Sequence, residues 1–304
     1  MKPPAQIAVV IVSYNTRELL LAALASVIES APGEPVELVV VDNHSTDGSA
    51  AAARRAFPQV TVIENAENLG FGAACNQAIR VTRSPLILLL NSDARLTPEA
   101  LAALTECMRM NHRCGAAGCR MLDDAGRETV NTRNFLTPFN QVMEWAGITA
   151  GFGPRRLRRT RRPQLGKNLI DCSVDWIDGA CLLLRRAALD EVGLFDEQFF
   201  MYSEDEDLCL RLRKGGWAVC YTAAGTALHR GGASSARARR EMLRWFYYSQ
   251  MLFLLKHRSR RAVFLYQAAM KTMLLLKQLT RPTRRAEISE RLAALAQAFQ
   301  DIPR

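Results

Sequence analysis

Hydrophobic positions in the first third of the chain fall into short unbroken runs separated by stretches with helical spacing. IAVVIV (7–12), VELVVVD (36–42), VTVIE (60–64) and PLILLL (85–90) are β-branched or leucine-rich runs of strand length. Runs without polar alternation suit strands covered on both faces, as in a parallel sheet. Between them, residues 16 to about 30, 46–56 and 70–81 carry the apolar spacing of helices. Thr97-Pro98-Glu99 predicts another helix start, with Thr as the cap and Pro at the first helical position. This βαβα rhythm predicts a doubly wound α/β sheet that takes ligands at the carboxyl ends of its strands. Periodicity fails from about 134 to 171, a segment that contains PRRLRRTRRP and reads as a mobile basic loop. SVDWIDGACLLLRRAAL (173–189) restores a buried strand running into a short helix. After His229, WFYYSQMLFLLKH and VFLYQAAMKTMLLLKQL predict two amphipathic to strongly apolar helices, and 284–300 a last one with Ile288, Leu292, Leu295 and Phe299 on one face.

Composition changes this picture in one respect. The 304 residues are ordinary in apolar and charged content, but the net charge of +10 favours a polyanionic partner: a nucleic acid, an anionic membrane surface or a phosphorylated substrate. No nucleic-acid motif is present, so nucleic acid is set aside. The eight cysteines lack metal spacing such as CxxC and several lie in apolar runs, which predicts reduced core residues of a cytosolic protein. The N-terminal run of about six apolar residues is short for a secretory leader, and no stretch reaches the roughly 18 apolar residues of a spanning helix.

The candidate chemistry sits at strand ends. Ser13-Tyr14-Asn15, Asp42-Asn43 and Asn91-Ser92-Asp93 each follow a predicted strand, so one sheet edge gathers all three. Asp42 can accept hydrogen bonds from a base or ribose, and Tyr14 can stack; each alone also fits a plain turn residue. The chain has no phosphate-binding P-loop, and Asn68-Leu69-Gly70-Phe71-Gly72 lacks the full GxGxxG spacing. A divalent metal, Mg2+ or Mn2+, can neutralise phosphates instead, with Asp93 as a hard-oxygen ligand. His229, in the polar, glycine-bearing setting TALHRGG, is a second candidate ligand. His44, His112 and His257 read as structural or exposed. Glu204-Asp205-Glu206-Asp207 fits either a solvated helix start favoured by the helix dipole or a catalytic carboxylate held at a helix N-terminus.

Six segments, IVSYN, VVVDNHSTDGS, NLGFGAACNQAI, LLLNSDA, WIDGACLLLRRAAL and GLFDEQFFMYSEDEDLCLRLRKGGW, occur in the order seen in family 2 inverting glycosyltransferases. Over residues 5–235 the chain resembles that family, and most of all its bacterial rhamnosyltransferase-like branch. The resemblance implies a GT-A fold: a Rossmann-like, mostly parallel central sheet flanked by helices, here with a C-terminal helical extension. It implies a glycosyltransferase domain over 1–235, with 134–171 as its basic loop; 236–304 is then a basic helical region, for which membrane association is one of two readings. It also implies a nucleotide-diphosphate sugar donor and a divalent cation. Position by position, Ser13, Tyr14, Asn15, Asp42, Asn68, Gly70, Asn76, Asn91 and Ser92 match the nucleotide-sugar side. Trp176, Asp178, Gly179 and Glu204 match the acceptor and sugar side. Asp205 matches the catalytic base, and Asp93 and His229 match the metal site. The chain departs from the family at Asn91, where the metal motif usually begins with Asp. On this reading Glu204, Glu206 and Asp207 raise the basicity of Asp205 by like-charge repulsion.

The implied activity is transfer of a sugar, with dTDP-rhamnose as the first expected donor, to a glycan or polyprenyl-diphosphate-linked acceptor in cell-surface polysaccharide assembly. It would take place at the inner face of the cell membrane. Two alternatives stand beside it: a sugar nucleotidyltransferase, which needs a basic phosphate loop after the first strand that SYNTRELL lacks, and an inactive binding scaffold. The Arg run and the basic helices fit either a charged loop with packed helices or a peripheral membrane surface.

Overall fold

The computed structural model describes residues 5–31, 35–145, 163, 165, 169–172, 174–231, 239–280 and 282–303. The first four predicted strands form, as β1 (Ile7–Ser13), β2 (Val36–Asp42), β3 (Thr61–Glu64) and β4 (Leu86–Leu90). They are parallel, in the order β3-β2-β1-β4, with α1 (Arg17–Ser30), α2 (Ser49–Ala56) and α3 (Phe71–Val81) as crossovers. Adjacent residues of each run serve opposite cores. Val9, Ile11 and Leu88 meet Leu20 and Leu24, while Val10 and Leu89 meet Ile79 on the other face. Double coverage is why these runs lack polar alternation.

The sheet continues through β5 (Ala94–Leu96), β6 (Cys114–Leu122), β11 (Cys181–Arg185) and β12 (Ala218–His229), giving β3-β2-β1-β4-β11-β6-β12-β5. β11 runs antiparallel to both of its neighbours and β5 antiparallel to β12. β7 (Glu128–Thr129) and β9 (Ile170–Asp171) attach at the side, and β8 (Thr132–Arg133) pairs with β10 (Trp176–Ile177) as a separate ribbon. Helix α4 (Ala100–Met110) covers one face; α6 (Arg186–Val192) and α7 (Glu204–Lys214) cover the other. A third core joins α8 (Arg239–His257), α9 (Arg260–Thr280) and α10 (Arg285–Asp301) to Leu136 and Phe199 of the sheet-bearing part.

Three expectations change. Thr97 does not cap a helix: its hydroxyl donates to the Thr226 carbonyl, its own carbonyl accepts from Ala100, and α4 begins two residues later than the sequence signal suggested. The cysteines are not all reduced: Cys172 and Cys220, beside the β9–β12 pairing, form a disulfide, and the other six are buried free thiols. Cys107 and Cys114 lie close to Cys220, whose sulfur is committed to that bond. The stretch without periodicity contains α5 (Pro138–Trp145), whose eight residues were too short to show a repeat. The Arg155–Arg162 run lies outside the described residues. Among those described, no helix is long and apolar enough to cross a membrane.

Candidate active site

The parallel strands end on one edge, where β1 and β4 part in connectivity, and the candidate residues collect there. Ser13 and Ser92 are buried and tied through Thr16: its hydroxyl lies 3.0 Å from Ser13 Oγ and donates to Ser92 Oγ at 2.9 Å. They brace two strand tips. Asn15 adopts φ 54°, and its side-chain oxygen accepts from the Thr46 N–H at 2.8 Å while its own N–H donates to Ser45 Oγ. It therefore shapes the loop after β2. Asp42 lies in that loop's floor, 4% exposed. One carboxylate oxygen accepts from the Ser45 N–H at 2.7 Å and the other, also buried, has no protein partner. Such an orphaned acceptor is costly unless a ligand satisfies it. Tyr14 is 37% exposed beside it.

Asn43 does work that its plain strand-end position did not reveal. Its amide donates to Asn68 Oδ1 and the Gly70 carbonyl, and its oxygen accepts from Asn65 and the Leu69 N–H. Gly70 has φ +85°, and a Cβ there would collide with the Phe200 carbonyl. Gly70 is thus required for close approach to the 195–203 segment, where the Phe71 N–H donates to Phe200 O. Asn76 does not line the site's cavity. It is buried, its amide donates to Phe195 O and Glu197, and its oxygen accepts from the Phe195 N–H. Its role is to hold the segment that precedes α7.

A cavity of about 500 Å3 gathers the rest. Asn91, Trp176, Asp178, Gly179, Glu204, Asp205 and His229 line it. At one rim, antiparallel pairing of β5 with the end of β12 brings His229 opposite Ala94 and sets its Nε2 3.2 Å from Asp93 Oδ1. Asn91 Nδ2 is 3.5 Å from the same nitrogen. A carboxylate and an imidazole this close suit a hard or borderline divalent cation, which needs few protein ligands where phosphates supply others.

Asp205 occupies the first turn of α7. Its two oxygens accept from the Gly179 and Glu206 N–H groups at 2.8 Å each. Burial, then the Asp178 carboxylate, push its pKa up to about 7 against those hydrogen bonds. Burial and then the Asp205 charge lift Glu204 well above the carboxylate range, and Glu204 Oε2 has no protein partner. Repulsion within the acidic run is not the main source of Asp205's basicity. Glu206 is its smallest contributor, and it accepts a hydrogen bond from the Leu136 N–H. Asp207 faces away: His257 Nε2 lies 2.6 Å from one oxygen and Arg211 Nε 2.7 Å from the other. Burial pushes Asp207 up, but these partners outweigh it and hold its pKa below the usual value. Tyr202 and Ser203, just before α7, take φ 70° and 62°, which costs of order 1 kcal/mol or more each and aims the helix start into the cavity.

Among the lining residues that sequence reasoning missed, four extend the wall. Arg133 pairs with Asp178 at 3.1 Å and lies over the Trp176 ring. Gln141 of α5 presents a buried side-chain oxygen with no protein partner. Phe246 and Gln250, one helical turn apart on α8, complete the wall. The four-residue spacing within WFYYSQ was the only signal for the last two; a lone Arg and a Gln in an aperiodic stretch carried none.

The sequence profile of "Glycosyltransferase like family 2" matches residues 3–248. The chain is 31% identical over 273 residues to the N-acetylglucosaminyl-diphospho-decaprenol L-rhamnosyltransferase of Mycobacterium tuberculosis, covering 83% of this chain and 84% of that one. It is 29% identical over 242 residues to the succinoglycan biosynthesis protein ExoU of Rhizobium meliloti, covering 78% and 66%. Among solved structures it resembles the mannosyltransferase PcManGT of Pyrobaculum calidifontis in complex with GDP-Man and Mn2+. The TM-score is 0.59 at 16% identity, covering 98% of this chain and 87% of that one.

Proposed function

The chain belongs to glycosyltransferase family 2 and has the GT-A fold, and on that premise we propose that it transfers rhamnose from dTDP-rhamnose to a polyprenyl-diphosphate-linked glycan. The rhamnosyl donor and the lipid-linked acceptor are supported by the name of the mycobacterial relative, and a role in surface polysaccharide assembly by that of ExoU. Such an acceptor is anchored in a membrane, so the reading puts the enzyme at the inner face of the cell membrane. Residues 1–235 carry the transfer and 236–304 the membrane-side helices, although Phe246 and Gln250 of the latter also line the cavity.

The observation that carries the reading is Asp205: a carboxylate poised near neutral pH, fixed by two backbone N–H groups, facing the cavity. The acceptor hydroxyl attacks the anomeric carbon from that side, and its proton passes to the Asp205 carboxylate as the new C–O bond forms. The bond to the diphosphate breaks with its electron pair leaving on the nucleoside diphosphate, so configuration inverts. Glu204, kept neutral, donates a hydrogen bond to the sugar or acceptor. Asp42 takes the base or ribose on its orphaned oxygen, and Tyr14 stacks. Arg133, beside Asp178, faces developing negative charge. Asp93 and His229 would hold Mg2+ or Mn2+, which when bound neutralises the diphosphate.

A stability panel of nucleotide sugars with Mn2+ or Mg2+ tests the donor, because a ligand that binds only the native state raises Tm. The largest rise is expected with dTDP-rhamnose, and an equal response to every nucleotide sugar would overturn the donor assignment. A sugar nucleotidyltransferase is disfavoured because no basic side chain follows the β1 tip before Arg17, whose N–H bonds Asp47 in the turn before α2.

A further inference from the structure

Helix α9 has two apolar faces. The inner one, Val263, Tyr266, Met270 and Leu274, is buried in the third core. The outer one, Phe264, Leu265, Leu275, Leu276 and Leu279, is between 43% and 74% exposed. Spacings of 1, 11, 12 and 15 residues from Phe264 place all five on one side at 3.6 residues per turn, with exposed Ala268 between them. Together they leave on the order of 500 Å2 of apolar surface uncovered, at the upper end for a monomer. The charge carried by this stretch of the chain has a single sign. From Arg258 to Arg285 there are eight Lys or Arg residues and no Asp or Glu. Arg258, Arg260 and Arg261 are exposed at one end of the ridge and Lys271 along its side.

We propose that the outward face of α9 docks on an anionic lipid surface, its five large apolar side chains entering the interface while the flanking Arg and Lys meet lipid phosphates. An apolar ridge flanked by exposed cations is complementary to a surface whose interior is hydrocarbon and whose rim is negative. A second copy of the chain fits less well: apposing two α9 faces brings two sets of the exposed cations Arg258, Arg260, Arg261 and Lys271 together. The exposed ridge is also smaller than the ~800 Å2 per partner of a typical stable interface. Helix α8 has no such face, since residues 249–254 are buried.

The placement deepens the proposed function and rests on it for its purpose. Helix α5 packs on α9 and lines the catalytic cavity with Gln141 and Glu144. A neighbouring hollow of about 320 Å3 has Glu144 on one side and Leu274 and Lys277 on the other. The C-terminal half of the ridge is therefore one helix away from the cavity, so a lipid-linked diphosphate sugar held in the bilayer would reach Asp205 without leaving it.

The test is co-sedimentation of the full chain with vesicles of phosphatidylcholine alone or with about one third phosphatidylglycerol, at low and high salt. Partitioning is expected to be ~10-fold higher on the anionic vesicles and to fall with salt. The triple variant Leu265→Asn, Leu276→Asn, Leu279→Asn is expected to lose ~10-fold in partitioning. It should keep its circular dichroism, its Tm and its transfer rate to a short-chain, water-soluble acceptor. Arg261→Gln with Lys271→Gln should reduce the preference for anionic vesicles. The proposal is overturned if the wild type ignores anionic vesicles, or if the triple variant binds them equally. It is also overturned if light scattering shows a wild-type dimer that the triple variant abolishes. Vesicle binding is read without catalysis, so failure of the rhamnosyltransfer reading leaves this result interpretable.

Discussion

Asp205 combines two demands that oppose each other. A carboxylate with its pKa near 7 accepts protons well at physiological pH, yet that elevation is a cost of keeping it charged in the fold. Since the folded pKa lies above the unfolded one, the stabilising contribution is complete below about pH 4 and is lost as pH rises through about 7. Asp205→Asn is therefore expected to lower turnover by about 10^2- to 10^4-fold while raising Tm, by more at pH 8 than at pH 5. Turnover of the wild type should climb through an apparent pKa near 7 on its acid limb. Wild-type turnover in Asp205→Asn, with donor binding measured alongside, would remove the base assignment.

Gln141 makes a second prediction at this scale. Its buried oxygen lacks a protein partner, so a ligand hydroxyl has a reason to sit there. Gln141→Leu should leave Tm unchanged or raised and lower kcat/KM by about 10- to 100-fold, the loss of one buried hydrogen bond. The residue pattern alone does not tell the acids in Glu204–Asp207 apart; only the family resemblance singles out Asp205. Their chemistry differs only because each faces a different neighbour: Asp205 the Gly179 backbone, Glu206 that of Leu136, and Asp207 the Arg211–His257 pair.

At the scale of elements, two contacts decide where α7 begins. Gly70 admits the Phe200 carbonyl against the start of α3, and Asn76 grips Phe195 by both of its polar groups. Gly70→Ala adds a collision and a positive φ, so a loss of about 2 kcal/mol is expected, read as a lower denaturation midpoint and lower activity. A third contact, the His257–Asp207 bond, ties α8 to α7 in a buried site. His257→Ala strips one partner from a buried carboxylate and should cost about 3 kcal/mol; a thermal midpoint equal to wild type would refute the tie. These joints were hard to read because each spans 50 residues or more, as Asn76–Phe195 and Asp207–His257 do. The β1–β4 strands, by contrast, were legible to within a residue or so, since burial on both faces leaves an unbroken apolar run. Helix α5 and the two-residue strands fell below the length at which a period can be seen.

At the scale of the molecule, the proposed cation site joins residues 136 positions apart. Asp93 and His229 should act together. Added Mn2+ with dTDP is expected to stabilise the wild type by up to about 2.7 kcal/mol at a hundredfold excess over Kd. Asp93→Ala and His229→Ala should each lose most of that increment while retaining the wild-type melting curve without ligand. A full increment in both variants would relocate the ion.

Taken by itself, the sequence determined the doubly wound order of the first half, the family, and the set of strand-end residues that collect on one edge. Each follows from local information, because alternating runs and helical spacing specify elements and parallel strands necessarily end together. Tertiary structure alone decided what those residues do. It separated Asn76 and Ser13, which brace the scaffold, from Asp42 and Gln141, which keep unsatisfied oxygens. It placed Asp205 where burial and Asp178, rather than its sequence neighbours, set its basicity. It also split the apolar C-terminal region into helices that pack and one face of α9 that does not. The physical reason is common to all: charge, burial and hydrogen-bond satisfaction depend on neighbours distant in the chain.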